Sequence, residues 1–233
     1  MKKAIICCEV LKDELSKILK EKGLSYPVVW VPSEYHNNPE QLRTKLQLEI
    51  DSLNGYEAIL LGYGCCGNAT AGLIASTAQL IIPRTEDCIE ILLSAGDKKF
   101  VRRSRTYFLS KGWLKSPKGI TAELDRLQRR YGEQRAKRII KAMLKEYRFL
   151  LYIDSAVSGE EELKELLKRS EEFAVAAGLE FIVEEGNCSL LKKLVCGSES
   201  RDFVIVPKGG KVDLSDFYPK ISGTGDSCNR LNM

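Results

Sequence analysis

Apolar and polar residues follow a regular order over the first sixty positions of the chain. Residues 3–8, 27–31 and 56–61 form short apolar runs, which are typical of buried strands. Between these runs, apolar residues recur at helical spacing in two polar stretches, first at Leu11, Leu15, Ile18 and Leu19 and then at Leu42, Leu46, Ile50 and Leu53. This alternation of strands and helices predicts a parallel sheet with helices on its faces.

The last third of the chain repeats the same pattern. Residues 149–154, 179–184 and 203–207 read as strands, and residues 160–177 read as a helix. We therefore predict an α/β fold of two Rossmann-like lobes, with mostly parallel sheets flanked by helices. Residues 1–118 would form the N-terminal lobe, and residues 119–233 would form a basic helix and the C-terminal lobe. A single mixed sheet is the alternative.

The basic helix of that second lobe is predicted over residues 121–148, with Gly132 as a point of interruption. It belongs to a longer basic block. Residues 98–148 carry 17 Lys and Arg against four Asp and Glu, roughly +13 in a chain whose net charge is +4. Such a block suits an acidic protein partner, an anionic cofactor or a solvated helix face, and nucleic acid is the less favoured ligand.

A glycine-rich loop, residues 62–68, follows the third predicted strand and contains two adjacent thiols, Cys65 and Cys66. Loops at the carboxyl ends of strands are where open α/β sheets bind their ligands. The spacing of Gly62, Gly64 and Gly67 also matches the dinucleotide-binding fingerprint. That fingerprint normally follows the first strand of its fold, so nucleotide binding is the weaker interpretation of this loop.

Three cysteines stand at the ends of predicted strands. Cys8 ends the first strand, Cys66 follows the third and Cys88 follows the fourth. The carboxyl ends of parallel strands lie at one edge of a sheet, about 4.8 Å apart between neighbours, so these thiols can meet. Their neighbours Cys7 and Cys65 point to the opposite side, because successive strand residues alternate between faces.

Three thiolates suit either an iron–sulfur cluster or zinc. The backbone N–H groups of Gly64 and Gly67, with Asn68 beside them, would hydrogen-bond the sulfur atoms of a cluster. We therefore predict a [4Fe–4S] cluster held by three cysteines, with one iron open, and keep Zn²⁺ as the alternative.

Three polar residues are candidates for catalysis around that site. His36, the only histidine, follows the second strand and would serve as a fourth ligand or a general acid/base. Arg84 and Asp87 flank Cys88 and would bind a small anionic or sulfur-containing substrate and orient a ligand. A surface histidine, a local salt bridge and a helix cap are the corresponding structural interpretations.

Eight cysteines in 233 residues favour metal or redox use in a reducing compartment. No apolar run approaches the roughly 20 residues that a membrane span requires, and the N-terminal apolar run is too short for a signal peptide. These features predict a cytoplasmic protein without membrane contact.

At these same positions the chain resembles the uncharacterised family called domain of unknown function 1638. The matching segments are Cys8-Glu9-Val10-Leu11 with Glu14-Leu15, His36-Asn37 before Pro39, Leu61-Gly62-Tyr63-Gly64 with Cys66-Gly67-Asn68, Pro83-Arg84 with Asp87-Cys88-Ile89, Thr106-Tyr107-Phe108-Leu109 and Gly112-Trp113. The resemblance implies that Cys8, Cys66 and Cys88 are the family cysteines. Glu86 stands where the family is expected to carry histidine, which disfavours a four-ligand zinc site at that position.

The family is similar to proteins of anaerobic archaea and bacteria that are encoded near corrinoid-dependent methyltransferases. The resemblance therefore implies a role in anaerobic one-carbon metabolism, with a corrinoid protein or methyltransferase as partner. Three functions remain open: an iron–sulfur protein, a zinc-dependent thiol or corrinoid methyltransferase, and a non-catalytic partner of a methyltransferase system. Whether the chain is an enzyme is left undecided by the sequence.

Overall fold

The strands form two sheets in a computed structural model that describes residues 2–94, 100–197 and 201–218. The strands are β1 (Lys3–Cys8), β2 (Val28–Val31), β3 (Ala58–Gly62), β4 (Gln79–Pro83), β5 (Thr106–Ser110), β6 (Phe149–Asp154), β7 (Glu180–Glu185) and β8 (Phe203–Val206). The first sheet has the order β2-β1-β3-β4-β8 and the second has the order β5-β6-β7. All neighbours are parallel except β4 and β8, so the predicted α/β class with mostly parallel sheets is confirmed, and the single mixed sheet is wrong.

Helices connect most of the parallel strands. They are α1 (Lys12–Glu21), α2 (Pro39–Ser52), α3 (Cys88–Leu93), α4 (Lys111–Lys115), α5 (Ile120–Tyr131), α6 (Glu133–Met143), α7 (Glu160–Ala177) and α8 (Ser189–Cys196). The predicted basic helix over residues 121–148 is two helices, because Gly132 adopts a φ of +78° between α5 and α6. That left-handed φ breaks the helix and is readily adopted only by glycine. No helix in the described part of the chain is long and apolar enough to span a bilayer.

The two sheets do not divide at residue 118, where the sequence predicts the boundary between two lobes. β5 precedes that position but pairs with β6 in the second sheet. β8 follows it by more than eighty residues but pairs antiparallel with β4 in the first sheet. Lobes 1–118 and 119–233 therefore do not correspond to the sheets, because the returning strand β8 completes the edge of the first one.

The second sheet lies between two apolar layers. Leu150 and Tyr152 of β6 pack with the apolar faces of α5, α6 and α7. Leu151 and Ile153, on the opposite face of the same strand, belong to the core that includes the first sheet. This alternation follows the two-residue period of a strand. The two sheets therefore share one apolar core.

The carboxyl ends of the two sheets meet. α4, which follows β5, packs on the short 3₁₀ turn Glu9–Leu11 that follows β1. The contact is close, because a Cβ added to Gly112 would overlap the carbonyl oxygen of Val10. Beside it, the buried Lys111 ammonium pairs with Asp13 of α1 at 2.9 Å and with Glu162 of α7 at 2.8 Å. Loops from both sheets consequently border one region.

Candidate functional site

The three cysteines at the strand ends lie together in that region. Cys8 ends β1, Cys66 lies in the loop after β3, and Cys88 begins α3 after β4. All three side chains are buried. Burial raises the pKa of Cys8 far above its ordinary value, and the neighbouring thiolates of Cys88 and Cys66 raise it further. We call Cys8, Cys66 and Cys88 the three-cysteine site, although Cys7 also raises the pKa of Cys8.

The loop after β3 makes a left-handed turn. Cys66, Gly67 and Asn68 have φ angles of 48°, 64° and 70°. A non-glycine residue in this region costs about 1–2 kcal/mol, so Cys66 is held there by its surroundings. The loop is fastened to the segment after β4, because Cys65 N donates to Thr85 O at 2.8 Å and Cys66 N donates to Glu86 O at 2.7 Å.

The close contact between the loop after β3 and the segment after β4 requires glycine at position 64. A Cβ at this position would lie 2.5 Å from both the carbonyl oxygen and the hydroxyl of Thr85, and 2.9 Å from the backbone nitrogen of Asp87. Such distances are far inside van der Waals contact. The close approach of the two loops brings Cys66 and Cys88 to the same side of the sheet edge.

Nearby N–H groups lower the pKa values of all three cysteines, but burial outweighs this effect and all three pKa values are raised. The backbone N–H of Val10 serves Cys8, and that of Gly64 serves Cys66. The side chain of Trp113 serves Cys88, whose pKa is nevertheless raised to about 12 by burial and by Asp87. Because the donors stabilise sulfur as an anion, the site suits thiolate ligands.

His36 and two aromatic rings border Cys8. The imidazole Nε2 lies 2.9 Å from the Cys8 sulfur. Its ring stacks on Tyr63 with centroids 5.9 Å apart and meets Trp113 edge-on at 5.3 Å. Burial lowers the pKa of His36, although Asp87 opposes that effect, so the imidazole is neutral at pH 7. Depending on its tautomer, a neutral imidazole can either accept a hydrogen bond from the Cys8 thiol or donate one to its thiolate.

The Tyr63 hydroxyl is an unsatisfied group of this region. It is fully buried and has no hydrogen-bond partner within residues 2–94, 100–197 and 201–218. Burial raises its pKa far above the ordinary value, and the thiolate of Cys8 adds to that rise. The Cys8 sulfur is an acceptor within reach of this hydroxyl, and the Thr85 hydroxyl is a second buried group without a partner among the described residues.

Asp87 lies beside the thiols as a helix cap. Its Oδ1 accepts from the backbone nitrogens of Ile89 and Glu90 at 3.0 Å, and its Oδ2 pairs with Arg102 at 2.6 Å. The carboxylate is therefore occupied by structural contacts, in line with the helix-cap interpretation. The ligand-orienting role of Asp87 stays a prediction.

The Arg84 guanidinium forms hydrogen bonds with the backbone at the start of β8. Its Nε donates to the carbonyl oxygen of Arg201 and its NH2 donates to that of Phe203, both at 3.0 Å. The backbone nitrogen of Arg84 donates to Asp202 O at 2.7 Å. These bonds fasten the start of β8 to the end of β4, so the substrate-binding role predicted for Arg84 receives no geometric support.

Arg84→Lys is expected to lower the free energy of unfolding by about 1–2 kcal/mol, because lysine lacks the planar fork that reaches two carbonyls. Urea unfolding of both proteins measures this difference. Metal content of the folded variant should stay at the wild-type level. A folded variant with normal stability and no metal would instead assign Arg84 to the site.

The remaining predicted residues have separate surroundings. The Cys65 thiol donates to Asn68 Oδ1 at 3.3 Å, and the Asn68 carbonyl accepts from Arg43. The Cys7 thiol lies against Gly62 on β3, where an added Cβ would overlap the sulfur. Glu86 turns its side chain toward solvent. Cys65 and Cys7 therefore fill structural positions, whereas the cofactor-binding role of Gly67 and Asn68 stays a prediction.

The three-cysteine site is not compact enough to hold a single metal ion. Among the described residues, no group of three or more His, Cys, Asp or Glu side chains is close enough to hold a single metal ion. The seven described cysteines are free thiols, and Cys228 lies outside the described residues. Any ligand common to the three thiols must therefore span the distance between them.

A buried carboxyl, Glu14, was not predicted from the sequence. Its side chain is 1% exposed, and Oε1 accepts a hydrogen bond from the Ser155 hydroxyl at 2.6 Å. Its Oε2 has no partner among the residues that the structure describes. Burial raises the pKa of Glu14, with the Ser155 bond opposing. Its position on the apolar face of α1, directly before Leu15, was the available signal.

The raised pKa of Glu14 gives a pH-dependent stability. The folded protein holds this proton more tightly than the unfolded chain, so the contribution is fully present below pH 4.5 and is lost as pH rises through the folded-state pKa. Relative to Glu14→Gln, the wild-type free energy of unfolding should fall in that window, by at most about 1.4 kcal/mol per pH unit. Urea unfolding at pH 4.5–8 measures it, and a constant difference would contradict the raised pKa.

Comparison with known proteins gives a family but no characterised relative. A family model described as "Protein of unknown function (DUF1638)" matches residues 30–195, which is most of the chain. This matched range includes Cys66 and Cys88 and begins after Cys8. No curated protein and no solved structure matches the chain.

Proposed function

The chain belongs to the DUF1638 family of proteins of unknown function, and we propose that it is a metal-binding protein in which Cys8, Cys66 and Cys88 hold a [4Fe–4S] cluster. The observation that carries this proposal is the convergence of three buried thiols, each with an N–H donor that stabilises its thiolate.

A zinc ion and a four-iron cluster make different demands on three thiols. In a tetrahedral zinc site with Zn–S bonds of about 2.3 Å, the sulfurs lie about 3.8 Å apart around one ion. No such compact group occurs among the described residues. In a four-iron cluster each thiolate binds a different iron, so the ligands surround a larger body.

Such a cluster, when bound, would supply electron transfer or an open iron for a substrate atom. The surrounding residues would determine the charge and protonation of its ligands. The side chain of Trp113 and the backbone N–H of Gly64 would stabilise charge on the ligand sulfurs. The neutral His36 imidazole would donate a hydrogen bond from Nε2 to the Cys8 thiolate, and the proton that Cys8 releases would leave to solvent.

The biological setting stays a prediction from the family resemblance. We propose a cytoplasmic protein, since seven free thiols suit a reducing compartment. A corrinoid protein or methyltransferase would be its partner in anaerobic one-carbon metabolism. The substrate would be a small anionic or sulfur-containing molecule.

Metal analysis after anaerobic purification tests the proposal. We expect a brown protein that absorbs near about 400 nm and contains about four irons and four sulfides per chain. Exposure to air should bleach the colour and release iron. A parallel aerobic preparation provides the control.

Two other results would overturn the cluster. A colourless protein with one equivalent of zinc would support the alternative, in which zinc activates a thiol for methyl transfer. A protein that holds neither metal under anaerobic conditions, even after reconstitution with iron and sulfide, would reject both metal sites. The non-catalytic role, as partner of a methyltransferase system, would then be the remaining hypothesis.

A further inference from the structure

A cavity of about 340 Å³ lies at the carboxyl ends of β6 and β7. Its lining contains none of the residues of the three-cysteine site and comes from α1, the loops after β6 and β7, and the start of α8. One water molecule takes up about 30 Å³ in the liquid, so the volume equals about ten waters and suits a small organic molecule. The carboxyl ends of parallel strands are also the usual ligand sites of open α/β sheets.

Glu14 lines this cavity from a buried position. Its Oε1 is satisfied by the Ser155 hydroxyl at 2.6 Å, whereas Oε2 has no partner among the described residues. The side chain is 99% buried, as its exposed fraction is 1%. Buried carboxyl oxygens are almost always hydrogen-bonded, so this atom requires a partner that the described residues do not provide.

Two ammonium groups lie on the exposed side of the same cavity. Lys17 Nζ donates to the carbonyl oxygen of Ala156 at 2.6 Å. Lys192 Nζ forms a loose ion pair with Glu21 Oε2 at 3.9 Å, and the half-exposed Glu21 carboxylate also lines the cavity. Each ammonium has three donors, so both retain capacity for an anionic ligand group.

These charges exclude several classes of ligand. An apolar molecule would leave Glu14 without a donor, and a simple anion would be repelled by its carboxylate. A simple cation would leave the two lysines unused. A single molecule with an ammonium at one end and an acid group at the other satisfies all three residues.

We infer that this cavity binds a small zwitterion of the α-amino acid class, with its ammonium on Glu14 Oε2 and its acid group on Lys17 and Lys192. This site is independent of the proposed metal centre. It therefore can be present or absent whatever the outcome of the metal analysis.

Binding of the proteinogenic amino acids to the anaerobically purified full-length protein tests this inference. Isothermal titration calorimetry at pH 8 should find at least one amino acid with a dissociation constant near or below about 1 mM. The N-acetyl derivative of that amino acid loses the positive charge, and its amide loses the negative charge. Both should bind at least about tenfold more weakly.

Substitutions of the cavity residues test whether the amino acid binds at this site. Glu14→Gln keeps the size and the Ser155 contact but removes the charge, and it should weaken binding at least about tenfold. Lys192→Ala, at an exposed position, should weaken it with no effect on folding. Lys20→Ala is the matched control, because Lys20 is exposed on α1 outside the cavity, and it should bind as the wild type does. Cys66→Ser should also bind normally.

The inference fails if no amino acid binds up to about 10 mM. It fails equally if the N-acetyl derivative binds as tightly as its parent, or if Lys192→Ala and Glu14→Gln both leave binding unchanged. Loss of binding in Cys66→Ser would show instead that the ligand belongs to the cysteine site.

Discussion

Cys66→Ser is expected to abolish metal loading, whereas Cys65→Ser is expected to leave it near the wild-type level. Cys66 shares its electrostatic environment with Cys88, and the backbone N–H of Gly64 stabilises its thiolate. Serine is a poor ligand for iron and does not ionise at neutral pH. Loss of one of three ligands should reduce iron content at least about tenfold.

Cys65 is a closely matched control for this substitution. It is the adjacent residue, it is equally buried, and its thiol donates to Asn68 Oδ1, a bond that a serine hydroxyl can also make. Iron, sulfide and zinc content per folded chain measure the effect, with circular dichroism to verify folding. Equal loss in both variants would contradict the choice of Cys66 as ligand. Normal loading in Cys66→Ser would exclude the three-cysteine site altogether.

Gly112→Ala is expected to cause the largest loss of stability among the substitutions considered. A Cβ at this position would overlap the carbonyl oxygen of Val10 and would lie 2.6 Å from Val10 C and Cα. These are backbone atoms, so relief requires separation of α4 from the 3₁₀ turn after β1. We expect the free energy of unfolding to fall by about 3 kcal/mol or more.

Gly159→Ala serves as the comparison for Gly112→Ala. Gly159 has an ordinary φ of −71°, and an added Cβ would have nothing within 4 Å. Its substitution should cost about 1 kcal/mol or less. Urea unfolding of the metal-free proteins gives both values. If the two variants are equally stable, the tight contact between α4 and the turn is not formed in solution.

The positions of the strands along the chain were predictable from the sequence, because buried strands carry continuous apolar runs. The same runs located the strand ends, and hence the positions of Cys8, Cys66 and Cys88 at one edge of the sheet. The fold class follows from local patterns of this kind. Gly132 was likewise recognisable as a break, since only its backbone conformation was needed to divide the basic helix.

Other parts of the site depend on how the two sheets dock, which no local pattern encodes. Trp113 reaches Cys88 only because α4 packs on the turn after β1. Arg84 was assigned to substrate binding because it flanks Cys88, and its carbonyl partners, on residues 201 and 203, are too distant in sequence to be predicted. Glu14 was overlooked for a similar reason, as its partner Ser155 comes from the other sheet.

The returning strand β8 has a consequence for synthesis of the protein. Pro83 of β4 pairs with Phe203, so the edge of the first sheet remains open until 120 further residues have been translated. At about 5–20 residues per second, that interval lasts about 6–24 s. During it, Cys8, Cys66 and Cys88 have already emerged from the ribosome beside an unpaired strand edge. The nascent chain is therefore at greatest risk of intermolecular strand pairing, and of premature thiol oxidation, before β8 appears.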